Sequence, residues 1–155
     1  MNEILYSAKL SRMVYSRSDV NSAEWTQQFA ALGISSTHAN FNFVSGTEVF
    51  LCIDNDSEVV HVVVRGSEPP TRWSGLQDWV NNFLSVKVPF HGIRAHAGYA
   101  RAAESVLESL SVLLDCTPDH YRVTLQGHSL GGAVAVLLAV YDELVRILTI
   151  QQRQR

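Results

Sequence analysis

Hydrophobic positions recur along this chain with two different periods, and the switches between them mark out its elements. Over residues 3–16, Ile4, Leu5, Ala8, Leu10, Met13 and Val14 fall at helical spacing and make one apolar face. Gln27 to Leu32, near Trp25, predicts a second short helix stopped by Gly33. Residues 35–46 are polar and read as a connector. Two β-type runs follow, Glu48–Ile53 and Glu58–Val64, on either side of Asp54-Asn55-Asp56-Ser57, and that turn-rich insert predicts a hairpin. Val59 to Val64 is apolar almost without alternation, the pattern of a strand covered on both faces.

After a long segment, 67–94, the stretch His96–Leu114 returns to helical spacing and ends before Pro118. Tyr121 to Gln126 then predicts a short strand, and Ala133 to Ala139 a buried helix. Inside the long segment, Leu76, Trp79, Val80, Phe83 and Leu84 share one helical face, with Gln77, Asp78, Asn81 and Asn82 on the other. No repeat, low-complexity tract or interdomain linker interrupts residues 1–155, which read as one domain. At the far end, Arg146 to Ile150 stays apolar before Gln151-Gln152-Arg153-Gln154-Arg155 turns polar and basic. That change reads as a chain cut short, or one whose last residues come from a shifted reading frame, with a frayed helix end as the plainer alternative.

Composition narrows the function. A 155-residue chain that is 46% hydrophobic can hold one ordinary core. Its formal net charge of −3 gives no reason to expect a nucleic-acid partner. Cys52 and Cys116 make no disulfide framework and read as small buried hydrophobes. The N-terminus lacks the basic start and apolar run of a secretory signal, and the apolar run 133–140 is short of the roughly 20 residues of a membrane span. A cytoplasmic location is the corresponding expectation.

The chemistry concentrates in Gly127-His128-Ser129-Leu130-Gly131-Gly132. A G-x-S-x-G between a strand and a helix is a nucleophile elbow: the turn lifts the serine hydroxyl to where a base and a carbonyl both reach it. Only 26 residues follow Ser129, and none is histidine, whereas hydrolases of this kind supply Ser, then Asp or Glu, then His. Asp142 lies on the elbow's own helix, about 20 Å of helical rise from the serine, too far to orient an imidazole beside it. His38, His61, His91, His96, His120 and His128 all precede Ser129. His128 is expected to point away from the serine as a packed structural histidine, His61 to be hydrogen-bonded within the sheet, and His96 to brace a helix entry.

Together with Arg65-Gly66-Ser67, Asp78-Trp79, His96-Ala97-Gly98-Tyr99 and the Leu10–Tyr15 region, the elbow gives this chain a resemblance to the class 3, fungal-lipase-like α/β-hydrolases over residues 5–141. The resemblance implies an α/β-hydrolase core, incomplete at its C-terminal side, with a β-hairpin, a parallel elbow strand and flanking helices. It makes Ser129 the acyl-accepting nucleophile. Ser67 becomes an oxyanion-hole donor through its N–H and hydroxyl, and Leu130 the second donor through its backbone N–H. Fixed donors at a helix N-terminus stabilise the charge that develops on an attacked ester carbonyl. Residues 73–84 then resemble a lid that contacts a lipid interface, with a surface helix packed permanently on the core as the alternative. The implied substrate is a lipid or other carboxylic ester, and no metal or cofactor is implied. The competing reading is a truncated, catalytically impaired remnant or interaction module without the triad Asp and His, self-associating through an open sheet edge. A serine peptidase on the same fold has only the elbow in its favour.

Overall fold

The elements, in chain order, are α1 (Glu3–Met13), α2 (Ala23–Ala31), β1 (Thr37–Asn42), β2 (Glu48–Asp54), β3 (Val59–Val64), β4 (Lys87–Phe90), β5 (Ile93–His96), α3 (Ala97–Asp115), β6 (Arg122–Gly127) and α4 (Leu130–Arg153). They belong to a computed structural model that describes residues 3–15, 23–34, 37–42, 47–66, 86–115, 117–118 and 120–153. Ser67, Trp79 and the whole of 73–84 lie outside the described residues, as does Cys116.

The expected hairpin is β2 and β3, paired antiparallel from Val49↔Val64 to Asp54↔Val59. Asp54 shapes its turn by accepting the N–H groups of Asp56 and Ser57 at 3.1 and 3.3 Å. The strand order is β1-β2-β3-β6, with β6 parallel to β3 and in register from Val59↔Arg122 to Val64↔Gly127. Among the described residues β6 has no neighbour on its far side.

Helices cover both faces of this sheet, which explains the unbroken apolar run. Val60, Val62 and Val64 pack into one core with α3 and α4, through Ala103, Val106, Val134 and Leu138. Val63 turns to the opposite core, with Leu10 and Val14 from the α1 segment, and Phe29 from α2. All six residues of β3 are buried. Each buried valine there contributes on the order of 1.5 kcal/mol or more through removal of apolar area from water.

Two parts of the fold differ from expectation. The polar connector 35–46 contains β1, which pairs antiparallel with β2 from Thr37↔Ile53 to Asn42↔Glu48. Its sequence, Thr-His-Ala-Asn-Phe-Asn, has little strand character of its own, and the open edge of β2 supplies the ladder. The long segment 67–94 contains β4 and the start of β5, a separate two-stranded ribbon. Its turn is His91-Gly92, at φ 41° and 86°, flanked by the pair Phe90↔Ile93. Two consecutive left-handed residues in a two-residue loop match the twist of a hairpin. As a result His96 closes β5, and α3 begins at Ala97.

Candidate active site

Ser129 stands in the turn between Gly127, the last residue of β6, and Leu130, the first of α4. Its φ of 56° is left-handed, a conformation that costs any residue with a Cβ. Gly131 N–H donates to the His128 carbonyl at 3.0 Å, and Ala133 N–H to the Ser129 carbonyl at 3.2 Å, so the helix starts at once. Close approach of strand and helix needs the flanking glycines. A Cβ on Gly127 would run into the Gly131 carbonyl and come within 2.7 Å of the Gly132 nitrogen.

The end of β3 abuts the same turn. A Cβ on Gly131 would collide with the Val64 carbonyl oxygen and stand 2.9 Å from both the Arg65 carbonyl carbon and the Gly66 nitrogen. Adjacent parallel strands therefore end side by side here, at Val64 and Gly127. Leu130 N–H is the first of its helix and has no acceptor within it, at the positive end of the helix dipole. Ser67, the other expected donor, follows Gly66 directly in sequence and lies outside the described residues.

Ser129 is exposed, and among the described residues its hydroxyl has no hydrogen-bond partner, imidazole included. It opens into a groove of about 1080 Å³ running between α1, the end of β6 and the first turns of α4. Ala8 and Tyr15 from the α1 side, Leu125 from β6, and Ala135 and Val136 from α4 give that groove a mainly apolar wall. His128 also lines it. The expectation of a packed structural histidine at 128 is corrected: the residue is exposed, and among the described residues the ring beside it is that of Tyr15, 6.1 Å away edge-on.

Tyr15 is the junction of these parts. Its hydroxyl accepts the Gly66 N–H at 3.1 Å. The Arg65 guanidinium lies 5.7 Å from its ring centroid and is also ion-paired with Glu48.

Behind the groove, His61 of β3 holds a buried polar chain. Gln126 Nε2 donates to Thr124 Oγ1 at 3.1 Å and lies 3.3 Å from His61 Nδ1. Thr124 Oγ1 is itself 2.8 Å from Nδ1. His61 thus uses both ring nitrogens, Nδ1 toward Thr124 and Gln126 and Nε2 toward Tyr6 Oη at 3.2 Å. Burial pushes the His61 pKa below its ordinary 6.5; Asp54 opposes that shift and Arg122 adds to it. Burial, with Cys52 and Asp54 nearby, pushes the Tyr6 phenol up to about 12, which keeps it neutral. This chain ties α1 to the sheet face beneath the elbow, as expected of a sheet-bound His61. His96 packs on Tyr99, ring centroids 4.7 Å apart, at the entry to α3. Sequence reasoning passed over Tyr15 and Gln126 as site residues, since a helix-end tyrosine and a strand glutamine carry no sign that separates them from ordinary packing.

A mixed sheet flanked by helices, with a left-handed serine between a parallel strand and a helix, defines an α/β-hydrolase. A family model described as lipase (class 3) matches residues 61–146, and the chain belongs to that family. Similar proteins include a lipase of Rhizomucor miehei, 27% identical over 153 residues that cover 90% of this chain and 39% of that one. A chloroplastic phospholipase A1 of Arabidopsis thaliana is 33% identical over 97 residues, 57% of this chain and 12% of the relative. The solved structure of the Rhizomucor miehei triacylglyceride lipase superposes with a TM-score of 0.70 at 25% identity, covering 94% of this chain and 55% of that one. The chain thus spans about half the length of that solved structure and less of the curated relatives.

Proposed function

We propose that this chain is a serine carboxylic-ester hydrolase of the lipase type, acting on acylglycerols or phospholipids through an acyl-enzyme on Ser129. The observation that carries this reading is Ser129 itself, held at φ 56° between strand and helix, facing an apolar groove. Similar proteins named as a lipase and a phospholipase A1 point to the same substrate class. In the reaction, Ser129 Oγ bonds to the ester carbonyl carbon, and the carbonyl oxygen takes up the negative charge. The Leu130 N–H and the donors of Ser67 receive that charge; losing one such donor typically raises the barrier by roughly 3 kcal/mol. Collapse expels the alcohol, which needs the proton taken from Ser129. Residues 73–84 serve as the lipid-facing lid in this reading.

One observation favours a second reading, a catalytically impaired remnant or interaction module. No imidazole is hydrogen-bonded to Ser129 among the described residues, so the proton has no acceptor there. A triad stripped of its base keeps only the small acceleration given by the oxyanion hole and binding. The edge of β6 that has no strand beside it among the described residues would then be its contact surface, for self-association above all.

Labelling by a fluorophosphonate and hydrolysis of a short-chain ester test both readings. Weak labelling that disappears in Ser129→Ala supports Ser129 as nucleophile, with ester turnover far below that of a complete hydrolase. Equal labelling of wild type and Ser129→Ala refutes that assignment. Vigorous Ser129-dependent turnover by the purified chain refutes the impaired reading and demands a base within these residues.

A further inference from the structure

We propose that Tyr15 is a positioning residue for the reaction at Ser129: its hydroxyl fixes the Gly66 backbone against the nucleophile turn. The inference rests on the reading of Ser129 as an acyl-accepting nucleophile. β3 ends at Val64, and Arg65 N–H still finds a strand partner in the Glu48 carbonyl at 2.9 Å. The next amide, Gly66 N–H, donates instead to the Tyr15 phenol at 3.1 Å, so a side chain from the α1 segment takes over where the sheet stops. Gly66 is buried, and without that oxygen its N–H would be left without an acceptor.

Space at Gly66 is bounded on two sides. A Cβ there would collide with the Tyr15 hydroxyl and reach 2.6 Å from the His128 carbonyl oxygen. Gly66 is thus wedged between Tyr15 and the peptide that precedes Ser129. The Tyr15 ring is itself held by the Arg65 guanidinium over it and by the His128 ring at its edge. Those contacts orient the ring independently of the hydroxyl. Chain connectivity hangs the Ser67 amide on the Gly66 carbonyl carbon. A donor for a developing oxyanion must be placed before the reaction, since small misplacements of reacting groups are costly. Tyr15 supplies that placement from outside the reacting atoms, through one hydrogen bond.

Tyr15→Phe keeps the ring and removes only the acceptor, and it is to be compared with wild type and Ser129→Ala in the full chain. Fluorophosphonate inactivation is measured to saturation, separating the maximal rate, kinact, from the affinity, KI. The expected result is a fall of about tenfold in kinact with KI and thermal midpoint unchanged. The Gly66 amide resonance, read by NMR, moves upfield and exchanges faster with solvent. An unchanged kinact overturns the proposal, as does a variant in which kinact and thermal midpoint fall while KI rises, the mark of a merely structural role. Labelling of wild type no faster than that of Ser129→Ala removes the nucleophile reading, and this proposal with it.

Discussion

The Val64 carbonyl oxygen occupies the space where a side chain on Gly131 would stand. One residue is the last of β3 and the other the second of α4, and their contact brings two distant parts of the chain to one edge. The GHSLGG motif is usually read for its serine, yet its second glycine decides how near the helix N-terminus comes to the neighbouring strand.

Gly131→Ala should therefore cost about 2–3 kcal/mol of stability, the range for overpacking against atoms that cannot move aside. Gly132→Ala should cost at least about 1 kcal/mol less, because its Cβ would stand 3.1 Å from its nearest neighbour, the Gly127 oxygen, and alanine favours a helix. Denaturant unfolding of the two variants checks the order; equal losses would mean that Val64 is free to retreat.

Ser129 stores strain. Replacing it with glycine, which adopts left-handed φ without penalty, should stabilise the chain by about 1 kcal/mol relative to Ser129→Ala. Both variants lose the hydroxyl, so the difference sets the relief of φ 56° against the greater chain entropy that glycine gives up on folding. Equal unfolding midpoints would show a strain no larger than that entropy.

His61 should make the fold acid-sensitive. Its folded pKa lies below 6.5, so below that pH the unfolded chain binds more protons than the folded one. The stability that neutral His61 brings is complete above pH 6.5 and is lost as pH falls toward the lowered value. Among the described residues Asp54 opposes that shift without reversing it, and Arg122 adds to it. The thermal midpoint should drop from about pH 7 to about pH 5, and His61→Gln should flatten that slope. An identical slope in the variant would assign the acid response elsewhere.

Self-association should follow from the side of β6 that has no neighbouring strand among the described residues. Val123 is 41% and Val136 62% exposed, on β6 and α4. An open strand edge beside apolar side chains favours pairing with another copy. Sedimentation velocity should show concentration-dependent growth at micromolar protein, reduced by Val136→Lys. A monomer that stays monomeric across that range would argue against it.

The parts legible in the sequence were those with strong local rules. The β2–β3 hairpin announced itself through Asp54-Asn55-Asp56-Ser57, and the elbow through glycines whose spacing has a steric cause. β1 was illegible because an edge ladder, not its own side chains, makes it a strand. The β4–β5 ribbon had a readable sign in His91-Gly92 between Val88, Phe90 and Ile93, Ala95, but Pro89 and the shortness of the strands masked it. At the site, residue types and order were enough to propose Ser129 and Leu130. Tyr15 was not recoverable, because its importance lies in meeting Gly66, 51 residues away.

The parallel pairing of β3 with β6 also sets when the site can exist during folding. His61 and Thr124, hydrogen-bonded across those strands, are 63 residues apart. Closing so long a crossover gives up chain entropy before any contact returns it, which makes such pairings slow. The hairpin can form early and α4 can coil locally, yet neither alone brings Gly66 beside the elbow. Reactive serine should return only with the slowest refolding phase, so the nascent chain stays chemically silent until its sheet is closed.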